Sequence, residues 1–269
     1  MKKFTSLALL IMLSAGFFWG CQKKGDPPAL PPAESMTIDF SNFTAKKSAL
    51  VARAVENTNW TVAATVAGVW NSILLLNLAI PVATFGKAVS YSPSYLDNKT
   101  WQWKYSIQSV GVTYNARLTG QIRATDVLWN MYVSKEGADA YSEFLWFTGT
   151  TASDGSSGQW TINESQANQV PMLQIDWTQN SGSVTTIKYT WVMTGQTFTG
   201  SYIEYGLTSN TLNAYYTIHA YVATKEKFVD VSIEWSTTTH NGRIKAVDFF
   251  QDELWHCWDG NGNDIDCTK

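Results

Sequence analysis

Trp101-Gln102-Trp103-Lys104-Tyr105-Ser106-Ile107-Gln108 alternates a large apolar side chain with a polar one at every step. After Gly111 the alternation resumes, with Tyr114, Ala116, Leu118 and Ile122 set against Asn115, Arg117, Thr119 and Arg123. A period of two puts one set on a buried face and the other in water, the signature of half-buried antiparallel strands. The same reading predicts strands over 127–134, 143–150, 159–163, 172–178, 185–193, 200–207, 212–222 and 228–237. Turn chemistry separates them: Ser153-Asp154-Gly155-Ser156-Ser157-Gly158, Asn180-Ser181-Gly182, and His240-Asn241-Gly242, the last suited to a type I′ hairpin. No helix-length segment lies between these strands to carry a parallel crossover. The expectation is a mainly β protein, a large antiparallel meander sheet shaped as a curved half-barrel or sandwich.

Upstream of the strands the period changes. No charge occurs between Glu56 and Lys87, apolar residues dominate 60–80, residues 57–59 offer N-caps, and Pro81 with Gly86 suggests the stop. Val62, Val66, Val69, Trp70, Ile73, Leu74, Leu76, Leu78 and Ile80 spread around most of a helical circumference, which implies burial on several sides. The length suffices to cross a bilayer, but Asn71, Ser72 and Asn77 place amides and a hydroxyl where hydrocarbon offers no partner. The sheet is therefore expected to pack around this one N-terminal helix. That layout resembles the half-barrel of the carriers that move lipoproteins to the outer membrane.

The first twenty residues have Lys2 and Lys3, then an uncharged run over 4–20 that ends at Gly20-Cys21, the build of a secretory signal. A cysteine directly after the cut resembles a bacterial lipoprotein signal, with Phe18 and Trp19 standing where the usual lipobox has a leucine-like and a small residue. The resemblance implies that Cys21 is acylated and anchors the chain in the outer membrane. Residues 21–36, with Pro27-Pro28 and Pro31-Pro32, resemble the Pro-rich tethers of Bacteroidota lipoproteins, an extended spacer lifting a single domain, 37–269, off the lipid. Either face of the outer membrane suits this organisation.

Once Lys2 and Lys3 are removed with the leader, the formal charge moves from −3 to −5. The four arginines are scattered among acids, so there is no basic face for nucleic acid. The lipid bilayer is the one partner the leader names. Three cysteines in an exported chain leave Cys257 and Cys267 as a disulfide pair once Cys21 is acylated.

Chemistry is sparse. No nucleophile elbow and no zinc-helix spacing occurs, and the strand carboxylates Glu143, Asp176, Glu204, Asp230 and Glu234 show no pairing that would make an acid and a base. Asp259, Asn261 and Asn263 fall at calcium-loop positions, but Asp264 replaces the turn glycine and no bidentate glutamate follows. No metal or cofactor is expected. Thirteen tryptophans, twelve tyrosines and twelve phenylalanines are core filler in the main. Tyr215, His219 and Tyr221 share the polar face of their strand and are the candidate ligand-binding residues. The expected function is non-enzymatic binding or assembly in the cell envelope, with an apolar-ligand carrier and a surface carbohydrate-binding module as alternatives.

Overall fold

The computed structural model describes residues 24–44 and 58–267. The leader and Cys21 lie outside the described residues. Fourteen strands form one sheet: β1 (Ser94–Tyr95), β2 (Thr100–Ser109), β3 (Val112–Ile122), β4 (Asp126–Lys135), β5 (Tyr141–Ala152), β6 (Ser157–Asn163) and β7 (Pro171–Asn180), then β8 (Ser183–Trp191), β9 (Tyr202–Leu207), β10 (Ala214–Val222), β11 (Lys227–Trp235), β12 (Gly242–Lys245), β13 (His256–Trp258) and β14 (Asp264–Ile265). Each pairs antiparallel with its chain neighbour, so spatial order equals sequence order and the sheet is an unclosed meander. The edge strands are two residues each, which limits the unpaired backbone they offer to other chains.

The expected alternation holds along the strands and decides which face is inside. One inner row runs across the sheet as Trp101, Gly120, Trp129, Gly149, Trp160 and Ile175, directly opposed residues on β2 to β7. Indole and glycine alternate from strand to strand because the curled sheet crowds its inner face. A side chain at Gly120 would meet the Trp129 ring at 2.5 Å, and one at Gly149 would meet the Trp160 ring at 2.2 Å. The arrangement recurs where Gly158 lies under Trp177 and Gly242 under Trp258. Each glycine thus lets a large ring lie flat over its neighbour's backbone, which supplies apolar burial that the missing side chain does not.

Inside the curl lie a long helix and an N-terminal segment. A short helix α1 (Ser41–Thr44) precedes α2 (Asn59–Lys87). Trp60, Ala63, Ala67, Trp70, Leu74, Leu78, Pro81 and Phe85 are buried at three- and four-residue spacing and form one inward stripe. The N-terminal end of α2 meets β12 and β13 and its C-terminal end meets β2, so at 29 residues, about 43 Å, it straps the two margins of the sheet together. Tyr105 donates its hydroxyl to the Thr84 carbonyl at 2.6 Å to fix the second of these junctions.

Several expectations are corrected. The helix runs through Pro81 to Lys87; the Pro81 ring is buried, and the Thr84 hydroxyl bonds the Ile80 and Pro81 carbonyls, both at 2.9 Å. Burial of Pro81 and Phe85 against the sheet outweighs the backbone bond that proline removes. The helix is not enclosed on several sides: Val69, Leu75 and Leu76 are 54%, 65% and 84% exposed. Much of the expected spacer belongs to the domain, since Pro28, Pro31, Ser35 and Met36 are buried and Trp160 donates its indole N–H to the Ser35 hydroxyl at 3.1 Å. The hairpin at 240–242 is a longer loop in which only His240 takes a positive φ, at 61°, whereas Ser181 and Gly182, at 51° and 85°, make the type I′ turn.

Gly149→Ala will lower the unfolding free energy by about 3 kcal/mol, because neither the Trp160 ring nor the Gln159 carbonyl at 2.4 Å can give way. Gly68→Ala, whose side chain would meet nothing within 4 Å on α2, will raise it by about 0.5 to 1 kcal/mol. Urea unfolding of the two variants beside the parent checks both signs.

Candidate functional site

The outer face of the sheet carries the polar half of every strand, and register sets these residues in transverse rows. One row runs Thr150, Gln159, Asp176, Lys188, Glu204 and Thr217 from β5 to β10. From Thr150 to Glu204 the row forms the floor of a groove of about 560 Å³ lined also by Asp126, Thr178 and Thr186. The carboxylates are already engaged. Asp176 accepts from Gln159 at 2.6 Å and from Gln174 at 2.8 Å, and Glu204 accepts from the Tyr215 hydroxyl at 2.8 Å. Burial, and then the bond to Glu204, push the Tyr215 phenol up to about 12, so it stays a donor throughout physiological pH. Lys188 stands between the two carboxylates in the row and sets its ammonium 3.8 Å from the centre of the Tyr202 ring.

Next to the groove lies an aromatic stack. His219 packs parallel to Phe228, rings 4.5 Å apart, and on its other side stacks on Tyr202 at 5.6 Å. Its Nδ1 lies 2.7 Å from Asp230, and Tyr221 meets Phe228 edge-on at 5.5 Å. Of the three residues expected here, His219 and Tyr221 therefore come together through Phe228. Tyr215 sits apart, against Gly206 and Glu204 at the groove margin. The sequence reading missed Tyr202, Phe228 and Lys188. Only strand register, which joins β8, β9, β10 and β11, could have found them.

Two other features are structural in their geometry. Arg117 makes a two-point contact with Glu143 at 2.8 and 2.6 Å and lies 4.0 Å from the Tyr132 ring. The hydrogen bond from Arg117 holds the Glu143 carboxyl below the usual carboxylate range. Cys257 and Cys267 are joined, closing the loop that covers the start of α2. Asp264 accepts the Asn59 backbone N–H at 2.7 Å, and the Asn59 side chain donates to the Cys257 carbonyl at 3.0 Å. Thr58 supplies the N-cap, accepting from the Thr61 N–H at 3.2 Å. The Asp259 carboxylate, first of the calcium-like positions, instead accepts the backbone N–H groups of Asn261 and Asn263 at 2.8 and 2.9 Å. Those bonds pull its pKa below the ordinary carboxylate value. The concave face holds α2 and the segment 28–43, with Tyr216 donating to the Asp39 carbonyl and Phe43 packed against Trp60, Trp235 and Trp258.

The chain matches no protein-family model, no curated protein and no solved structure.

Breaking the disulfide by Cys257→Ser with Cys267→Ser will cost about 3 kcal/mol, measured by denaturant unfolding under oxidising conditions. The Asp259 carboxyl, depressed in the folded state, contributes stability that is complete above its unfolded pKa and lost as pH falls through the folded one. Parent and Asp259→Asn should therefore differ in melting temperature at pH 7 and converge toward pH 3.

Proposed function

We propose that this chain is a lipid-anchored protein of the bacterial outer membrane that binds a hydroxyl-rich ligand, a glycan, in the groove on the outer face of its sheet, without catalysing a reaction. The observation that carries the binding reading is the groove itself. Its lining of hydroxyls, a carboxamide, carboxylates and one ammonium offers both donors and acceptors, and the Tyr202 and Tyr215 rings meet its Lys188 and Glu204 walls. Hydroxyl groups of a sugar exchange water for such groups at little net cost, and adjacent rings supply the apolar contact. The anchor reading is supported by the lipoprotein-like leader that ends at Gly20-Cys21.

A non-enzymatic role is supported by the same row. Strand spacing sets the Asp176 and Glu204 backbones about 9.5 Å apart, with Lys188 on the strand between them and both carboxylates already hydrogen-bonded to neighbours. An acid and a base that cleave a glycosidic bond need a clear gap for sugar and water. The carrier alternative would need the volume that α2 and residues 28–43 fill.

A glycan array probed with the full chain, followed by titration calorimetry on the best ligand, tests the proposal. Asp176→Ala and Tyr202→Ala are each expected to weaken binding by about tenfold or more, with Tyr221→Ala nearer neutral. Failure to bind any glycan, or binding indifferent to both substitutions, would remove the groove as the site; product formation during the titration would remove the non-enzymatic reading.

A further inference from the structure

We infer that the outward face of α2 lies in the surface of the bilayer that holds the acyl chains of Cys21, so that the domain sits on the membrane through a second, non-covalent contact. This rests on the lipid-anchor reading given above. Three observations meet here. The outward face of α2 presents Val69, Leu75 and Leu76 to solvent, and no charged residue occurs on the helix before Lys87 at its end. Its hydroxyls carry no unmet bond: Thr65 donates to the Thr61 carbonyl and Ser72 to the Gly68 carbonyl, both at 2.8 Å, while Asn77 donates to the Ile73 carbonyl at 2.7 Å. A face whose polar groups are satisfied within the helix can enter the boundary between headgroups and acyl chains without stranding a donor.

The position of the anchor selects the occupant. Lys24 places its ammonium 4.8 Å from the Trp101 ring and 5.8 Å from the Tyr95 ring, on β2 and β1. Two residues separate it from Cys21, so three steps along the chain give a reach of about 11 Å at full extension. Chain length alone would therefore keep a Cys21 acylated as proposed within reach of the margin of the sheet that the C-terminal end of α2 also meets. Val89, Tyr91 and Leu96, exposed and apolar, line the same margin. Because residues 28–36 are packed into the domain, no long spacer is left to hold this face away from the lipid. The polar outer groove faces the opposite way, toward the aqueous compartment.

The test uses the full lipidated chain carrying Leu76→Cys, with Ser106→Cys on the outer sheet face as control, each labelled with an environment-sensitive fluorophore. The labelled proteins are reconstituted in phosphatidylethanolamine–phosphatidylcholine vesicles. The probe at 76 is expected to shift to the blue and be quenched by nitroxide-bearing lipids; the probe at 106 is not. A probe at 76 that stays in water while the protein floats with the vesicles overturns the inference and leaves the anchor intact. A blue shift without vesicles that grows with protein concentration overturns it in favour of a second copy. Mass spectrometry of Cys21 from cell envelopes reads the anchor separately. If the thiol is unmodified, the anchor fails, and a Cys21→Ser chain whose residue 76 still inserts at high lipid keeps the surface contact on its own. If that chain leaves residue 76 in water, both fall.

Discussion

A sheet that curls on itself must fit less side-chain volume on its inner face than on its outer one, and the row of tryptophans set over glycines is how this chain meets that constraint. Trp101, Trp129 and Trp160 occupy alternate strands, and Gly120 and Gly149 between them leave room for the rings to lie across the backbone. A side chain at Gly120 or Gly149 would occupy the space these rings fill, meeting the Trp129 ring at 2.5 Å and the Trp160 ring at 2.2 Å. Everything else in the interior follows. The curl creates a trough floored by indoles, and the helix and the N-terminal segment are the parts of the chain that fill it. The buried stripe of α2 uses alanine at 63 and 67 and tryptophan at 60 and 70, again pairing small with large where the trough narrows.

The two ends of the chain complete this interior in different ways. Residues 28–43 lie under the helix, where Ser35 and the Asp39 carbonyl give Trp160 and Tyr216 the polar partners that buried indole and phenol groups require. The C-terminal loop is held by the Cys257–Cys267 bond over the first turn of α2, where Asp264 satisfies one of the backbone N–H groups that a helix leaves open. Gly262, at φ 84°, comes within 3.4 Å of the Trp60 ring at the position its side chain would take. The last residues of the domain therefore stabilise its first long element, and the disulfide acts on helix and sheet margin together.

The strands were legible because burial on one face imposes a period of two, and the eight strands expected between 127 and 237 match β4 to β11 within a few residues. The short strands β1, β12, β13 and β14 are too brief to show any period. The helix was legible as a helix, but its one-sidedness was not: apolar residues on all faces do not distinguish a side against the sheet from a side against something else. The interior role of 28–36 was hidden by its composition, since prolines mark an extended chain whether it lies in water or under a helix. The site was legible least. Tyr215, His219 and Tyr221 share a face within one strand, but Lys188, Tyr202 and Phe228 join that surface only across strands, and register between strands far apart in sequence leaves no local mark.

Polarity divides this molecule into two sides, and the division constrains what it can do. On the outer sheet face every charged side chain of the groove has a neighbour of complementary chemistry. On the outward side of α2 the reverse holds: leucines stand in solvent while the polar atoms have turned inward on their own helix. A helix free in water gains nothing from that arrangement and loses apolar burial on each exposed leucine, on the order of 1.5 to 3 kcal/mol when fully covered. Covering that face while leaving the groove open requires a surface that is extended, apolar and on one side only. A bilayer under α2, as proposed above, would meet all three conditions.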